Sequence, residues 1–472
     1  MRSPATRRAL GAFYTPADVA DRLVELTLPS GAPRVCDPAC GDGAFLLAAA
    51  RHLERRGIDR TTIARDLLWG TDVDADAVAA ARAAIAEWSG VAPDGHVLVA
   101  DGLTHADWHG TFDAVVGNPP FLNQLETATV RRDAHRWMNL AGPYADTAFL
   151  FLLAGLDLVR PGGRIGLIQP QSLVAARDAQ AVRRAVEHRG AIVGMWTCDE
   201  TVFDASVRVC APILVAGSSR ERTVPRWTGR QFTAAPSVSI DGDTWSIALA
   251  RDLPRAGLDA SRRLGELATA TAGFREQFYG LAPYVVEAED GDLPRLVTCG
   301  LVDPGRCAWG EREVRFARRR WRNPRVDLER VEPASLRRWV DDRLVPKVVL
   351  ATQTRVLEAA VDLDGSWVPS TPVIAVHTAA DALYDVAAVL IAPPVSAWAA
   401  ATYAGVALAP DAIKLSARQV LEVPLPPDRR RWKLGAAALR DGDLLGAGAH
   451  MTAAYGANDV VFDWWKGRLP NQ

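Results

Sequence analysis

The sequence predicts an α/β domain built on a mostly parallel sheet with an antiparallel edge hairpin, over residues 1–240, followed by a mixed α+β domain over 241–472. Three observations predict it. The chain has 472 residues, 49% hydrophobic and 23% charged, which is ordinary globular composition and too long for one core at roughly 150 residues per domain. Its first half alternates short apolar runs with helical stretches, and each run ends in a polar residue. This rhythm stops near Gly217-Ser218-Ser219-Arg220, where Pro225, Pro236 and Asp241-Gly242-Asp243 punctuate shorter pieces and place a boundary between 217 and 260.

The elements follow in order. Arg34-Val35-Cys36 is a strand ending at Asp37, Phe45 to Leu53 is helical, and Leu67 to Thr71 is a strand before Asp72. His96 to Ala100 leads into Asp101, Phe112 to Gly117 into Asn118, and Arg164 to Ile168 into Gln169. Strands joined by helical crossovers make a parallel sheet, and such sheets bind ligands beyond the carboxyl ends of their strands, where these polar residues fall. Ile192 to Trp196 and Arg208 to Val215 form the expected edge hairpin. The Asp37-to-Asp72 interval is long for one crossover, so a longer helix or an extra turn at Gly57 to Arg65 is expected. In the second half, Val386 to Pro410 is uncharged and Ala-rich but is broken at Pro393-Pro394, which predicts two buried helices and no membrane span.

Composition excludes little about partners. The net charge is −2, and nucleic-acid binding depends on a local basic stripe and not on the sum. Arginine outnumbers lysine 50 to 4, a bias that genomic composition explains without selection for phosphate contacts. Cys36, Cys40, Cys198, Cys210, Cys299 and Cys307 lack finger spacing, so reduced cysteines and no metal are expected. The N-terminal residues carry basic groups without an apolar run behind them, which predicts a cytoplasmic protein.

The segment Asp37-Pro38-Ala39-Cys40-Gly41-Asp42-Gly43-Ala44-Phe45 joins the first strand to its helix, and its glycines let backbone lie against a ligand. It is neither the dinucleotide fingerprint nor a phosphate loop, so a small molecule without a cradled phosphate is expected, and a tight structural turn is the competing reading. Asp72 is placed to accept hydrogen bonds from a ribose diol, with Asp74 or Asp76 better suited as a helix cap. Asp101-Gly102 is placed to meet an adenine ring or to make an unremarkable turn.

The sharpest signal is Asn118-Pro119-Pro120-Phe121 after the fourth strand. An exocyclic amine on a planar ring is a poor nucleophile because its lone pair is delocalised. Acceptors that hold its hydrogens and stabilise charge growing on nitrogen relieve this, and the Asn118 side-chain oxygen and Pro119 carbonyl are suited to it. The prolines fix the turn, and Phe121 offers a ring face to a base taken from its stack.

Taken together, Phe13-Tyr14-Thr15-Pro16, the Asp37 to Phe45 loop, Asp72, Asp101 and Asn118-Pro-Pro-Phe121 resemble the gamma class of S-adenosylmethionine-dependent DNA N6-adenine methyltransferases of restriction-modification systems, over about the first 215 residues. The resemblance implies a Rossmann-like class I methyltransferase sheet, S-adenosylmethionine as cofactor and double-stranded DNA as partner. It further implies that Tyr14, Thr15, Pro16, Asp37, Ala39, Gly41, Gly43, Asp72, Val73, Asp101, Gly102 and Asn118 meet the cofactor, and that Asn118, Pro119, Pro120 and Phe121 carry catalysis. Phe203 matches the family's second base-stacking aromatic, with a core role as the even alternative.

The second half is similar to the family's target-recognition domain through Thr298 to Pro304, Lys347-Val-Val-Leu350, the helices near 386 to 406, and Ile413-Lys414-Leu-Ser416. Arg315, Arg318, Arg319, Arg320, Arg322 and Arg325 around Trp321 form a basic stretch suited to phosphates, and a face neutralised by neighbouring acids is the other reading. Lys347 and Lys414 are further expected DNA contacts. Large relatives of the class carry a nuclease domain ahead of the methyltransferase, and none is expected here; a separate cognate endonuclease or defence protein is a candidate partner. Ribosomal RNA base methylation, glutamine methylation and a non-catalytic DNA-binding subunit are the competing functions.

Overall fold

A computed structural model of the chain describes residues 15–93, 95–121, 146–200, 202, 208–217, 223–240, 244–249, 253–254, 256–259, 261–273, 275–403 and 412–470. The chain divides into two compact units, residues 1–249 and 250–472.

The first unit is built on one sheet. Its strands are β1 (Val35–Asp37), β2 (Leu68–Asp72), β3 (Val97–Val99), β4 (Phe112–Gly117), β5 (Val159–Leu167), β6 (Gln169–Pro170), β7 (Gly190–Cys198), β8 (Val209–Ala216), β9 (Val224–Thr228) and β10 (Thr233–Val238). Their spatial order is β10-β9-β7-β8-β5-β4-β1-β2-β3, with β6 on β8. β1 pairs in parallel with β2 on one side and β4 on the other, so the strand order reverses at β1 and opens a crevice above its carboxyl end. The β7–β8 hairpin is antiparallel as expected, but it is not at the edge. β9 adds in parallel to β7, and β10 closes the sheet antiparallel to β9. The prolines that read as punctuation lie inside these two strands; Pro236 sits on the outermost strand, within an irregularity of register between Ala235 and Val238, where its missing N–H costs least.

Helices cover the sheet for local reasons. The helix Ala17–Thr27 starts at Pro16 and buries Val19, Ala20, Leu23, Val24 and Thr27 on one face. Gly166 of β5 lets this helix approach: a Cβ there would stand 2.1 Å from the Thr27 hydroxyl. The helix Ala44–Arg55 is followed by a short turn at Arg60–Thr62 and a π-turn at Ile63–Leu67, which take up the long interval before β2. The helix Ala75–Ser89 begins at Asp74, whose side chain accepts the Asp76 N–H, and ends at Gly90 in the left-handed conformation. The helix Thr147–Leu158 is buried nearly all round, consistent with its almost wholly apolar sequence. Trp196 of β7 stacks on Phe232 at 4.6 Å and donates from Nε1 to Gly229 O, which locks the β9–β10 turn onto the end of β7.

The second unit contains two four-stranded sheets, one of Thr269–Ala272, Ile374–His377, Lys347–Leu350 and Ala359–Asp362, the other of Val285–Glu287, Pro324–Val326, Arg295–Val297 and Trp367–Pro369. The helices Leu383–Ile391 and Pro393–Tyr403 are buried, and the pair is bent by 57° at the proline break. No single helix among the described residues is long and apolar enough to cross a membrane. Helices Arg429–Arg440, Leu444–Ala454 and Asp459–Lys466 end the chain.

Candidate functional site

The loop after β1 is held from both sides. Cys40 N donates to Thr71 O at 2.9 Å, and the Thr71 hydroxyl donates to Pro38 O at 3.0 Å. Gly102, after β3, packs so tightly on this loop that a Cβ there would stand 2.0 Å from Pro38 O. Gly43 has φ 91° and opens the following helix, whereas the space a Cβ of Gly41 would enter, at φ 53°, holds no atom within 4 Å. Backbone is thus presented to open space at Gly41, where a ligand can approach.

Asp72 stands at the end of β2 with each carboxylate oxygen accepting one backbone N–H, from Gly41 to Oδ2 and from Asp74 to Oδ1, both at 2.9 Å. Each oxygen keeps a second lone pair, so two further donors can be accepted. Partial burial raises the Asp72 pKa, opposed by those backbone N–H groups. The next side chain, Val73, is 70% exposed, an apolar surface beside this carboxylate. Asp101 Oδ1 accepts the Leu103 N–H at 2.9 Å, which fixes the turn at the end of β3.

Asp37 is buried, and burial pushes its carboxyl up to about 8 despite the hydrogen bond it accepts from Ala39 N at 3.0 Å. It lies against Gly117, where a Cβ would meet Asp37 Oδ1 at 2.5 Å. Asp37 therefore requires glycine immediately before Asn118. The Asn118 side chain donates from Nδ2 to the Thr15 hydroxyl at 3.0 Å. Thr15 is buried, and Phe121 is half-buried against the core of the first unit. Sequence reasoning identified Thr15, Asp37, Asp72 and Asn118 separately but missed that Thr71 ties the loop down and that Thr15 and Asn118 touch; a threonine one residue before Asp72 was the available signal for the first.

Tyr14 and Phe203 lie outside the described residues. In the second unit, Arg315, Arg318, Arg319, Arg320 and Arg322 are exposed, on or beside the hairpin Val314–Phe316 and Arg319–Trp321. Arg315 lies directly opposite Arg320, and Arg320 reaches Glu313 at 3.3 Å. Arg322 is partly committed, its Nε donating to Gly310 O at 3.2 Å. Lys414 is exposed. Two expectations are corrected. Lys347 is completely buried in an ion pair with Asp362, its cross-strand partner, and cannot reach phosphate from there. Arg325 is buried as well, donating to the carbonyls of Ala288, Leu293 and Glu289.

Comparison with known proteins agrees with this geometry. Residues 2–227 match the family N-6 DNA Methylase. The cofactor is S-adenosylmethionine, and the donor set fits it: an open backbone at Gly41, an acid with two spare acceptor positions at Asp72 and an exposed apolar side chain at Val73 suit a ligand carrying a diol and a planar ring. The matched part is 25% identical over 202 residues to the type I restriction enzyme MjaIX methylase subunit of Methanocaldococcus jannaschii, covering 41% of this chain and 35% of that protein. It is 33% identical over 141 residues to ribosomal RNA small subunit methyltransferase C of Escherichia coli O1:K1 / APEC, covering 29% of this chain and 37% of that one. The chain spans less than half the length of these curated relatives. Among solved structures, the type IIL restriction-modification enzyme MmeI in complex with DNA shares the fold over 100% of this chain and 78% of its own, with a TM-score of 0.62 at 14% identity.

Proposed function

We propose that this chain methylates the N6 amine of adenine, flipped out of a specific sequence in double-stranded DNA, as the modification enzyme of a restriction-modification or related defence system. The observation that carries the reading is Asn118-Pro119-Pro120-Phe121 at the end of β4, beside the Asp37 to Gly43 loop, with the Asn118 amide held by Thr15. S-adenosylmethionine supplies the methyl group. Asp72 holds the ribose, with Gly41 and Val73 against the rest of the cofactor, and Asp101 stands at the adenine end. Asn118 Oδ1 and the Pro119 carbonyl accept the two N–H bonds of the target amine, holding its lone pair toward the methyl group and stabilising positive charge on nitrogen as the new bond forms. Pro119 and Pro120 fix the turn, so these acceptors need no reorganisation. Phe121 and Phe203 stack on the extruded base.

The second unit is the target-recognition domain in this reading. Its hairpin carries Arg315, Arg318, Arg319 and Arg320 outward, and the arginine pair Arg315–Arg320 places like charges directly opposite each other, an arrangement that costs stability until an anion lies between them. Ala317 and Arg318, at the tip, have φ 49° and 67°, left-handed conformations that glycine or asparagine adopts more cheaply. Arg322 and Lys414 are further exposed basic groups of this unit.

The relative at 33% identity favours a second reading, transfer to a base in ribosomal RNA, over the methylase part alone. Incubating purified protein with radiolabelled S-adenosylmethionine and either duplex DNA or ribosomal RNA decides between them. Label in DNA, as N6-methyladenine, is expected; label confined to RNA overturns the proposal, and label in neither leaves the non-catalytic DNA-binding reading.

A further inference from the structure

We propose that Thr15 is a positioning residue that holds the Asn118 amide in place for the target amine; this rests on the function proposed above. An asparagine amide has two ends of nearly equal shape, and only the oxygen can accept an N–H from the target. A rotation of 180° would present donors to donors and abolish the chemistry. A hydroxyl holds the amide plane in place through its lone pairs or its hydrogen, and here Nδ2 donates to the Thr15 hydroxyl at 3.0 Å. With the nitrogen spent on Thr15, Oδ1 points along the other arm of the amide.

Both partners are held at fixed points. Thr15 is buried and precedes Pro16, which restricts its backbone to extended conformations. Pro16 O accepts the N–H groups of Val19 and Ala20, both at 3.1 Å, so the turn passes directly into the helix Ala17–Thr27. That helix is anchored from two directions: Arg230 makes a two-pronged contact with Asp18 at 3.0 and 3.2 Å, and Arg51 reaches Asp21 at 2.7 Å. On the other side, Gly117 O accepts the Ile168 N–H at 3.0 Å, and Pro119 follows Asn118 immediately. The hydrogen bond therefore spans two rigid elements, the start of a helix and the end of a central strand, and needs no rearrangement to hold the amide in one orientation. A threonine used only to fill space would serve equally well as valine.

The test compares Thr15→Val, which removes the hydroxyl at nearly constant volume, with Thr15→Ser, which keeps it, and with Thr15→Ala as a second deletion. Single-turnover methyl transfer to duplex DNA at saturating cofactor should fall by roughly tenfold to a hundredfold in Thr15→Val and Thr15→Ala, with the DNA dissociation constant little changed, and should recover to within about threefold in Thr15→Ser. A second readout does not depend on activity. In protein labelled with 15N-asparagine, the Asn118 side-chain amide signal, identified by its loss in Asn118→Ala, should exchange its hydrogens slowly in the parent and in Thr15→Ser and faster in Thr15→Val. Parent-like transfer and parent-like exchange in Thr15→Val would overturn the inference while leaving the proposed function standing. A parent that transfers no methyl group to DNA would overturn the proposed function, and the exchange rates would still decide what orients Asn118.

Discussion

The side chain of Asn118 donates to the hydroxyl of Thr15 at 3.0 Å across 103 residues of sequence. The bond joins the end of β4 to the segment that opens the first helix, so the residue expected to hold the target amine and a residue expected beside the cofactor share one contact. β1 lies between the two halves of the crevice, and its loop connects to Asp72 through Gly41 N. The residues proposed to meet substrate and cofactor are thereby built on strand ends and a helix start, elements whose positions the sheet fixes.

If Asp72 holds the ribose as proposed, removing its carboxylate strands the ribose hydroxyls in a half-buried place and releases the N–H groups of Gly41 and Asp74. Asp72→Ala should weaken S-adenosylmethionine binding by about 1 to 3 kcal/mol, roughly tenfold to a hundredfold. Titration calorimetry checks this, and unchanged affinity would remove Asp72 from the site.

Asp37 gives the first unit a dependence on pH. Its carboxyl titrates near 8 when folded, against the ordinary carboxylate value of 3.8, because burial penalises the charged form. The folded state thus holds a proton that the unfolded state has released between those values, and the stability this contributes is lost as pH rises through the window. Asp37→Asn keeps an acceptor for Ala39 N and cannot ionise. Its melting temperature relative to the parent should climb by roughly 7 to 14 °C between pH 5 and pH 8, and a constant difference across that range would show that Asp37 titrates normally.

If the hairpin arginines meet phosphates, changing Arg318, Arg319 and Arg320 together to alanine should weaken binding to every duplex and flatten the log–log salt dependence by up to about three units. Sequence preference should persist, since phosphate contacts position without specifying. Equal affinity and slope in the variant would mark the hairpin as a solvated face.

Lys347 has a structural task. Its ammonium is buried against Asp362, and burial lowers its pKa while the carboxylate holds it charged. Lys347→Ala leaves Asp362 buried with only the N–H groups of Ser366 and Trp367, and should destabilise the second unit by about 3 to 5 kcal/mol in chemical denaturation. A loss below about 1 kcal/mol would show that water reaches Asp362.

The sequence made the catalytic half legible because a parallel sheet covered on both faces leaves a simple trace. β1, β2, β3 and β4 are short apolar runs, and the residues that close them, Asp37, Asp72, Asp101 and Asn118, are polar because they face the crevice. β9 and β10 were harder to see, since prolines interrupt both and the strand that joins their hairpin to the sheet, β7, lies outside their own sequence neighbourhood. Lys347 was misread for the same reason. A lysine at the head of Lys347-Val-Val-Leu350 looks like a surface charge until the register with Ala359–Asp362 brings Asp362 opposite it, a pairing that local sequence does not specify. The Thr15–Asn118 contact is likewise a product of tertiary packing.

The central claim is that Asn118 directs methyl transfer to adenine in DNA, and single-molecule sequencing of genomic DNA from a methylation-free host tests it most directly. Expression of the parent chain should place N6-methyladenine at one recurring sequence. Asn118→Ala, which deletes an acceptor whose bond strengthens as charge develops, should lower transfer at least about a hundredfold and leave those sites unmodified at equal protein abundance. Modification in the Asn118→Ala host equal to the parent's, or an unmodified genome in the host expressing the parent, would contradict the account.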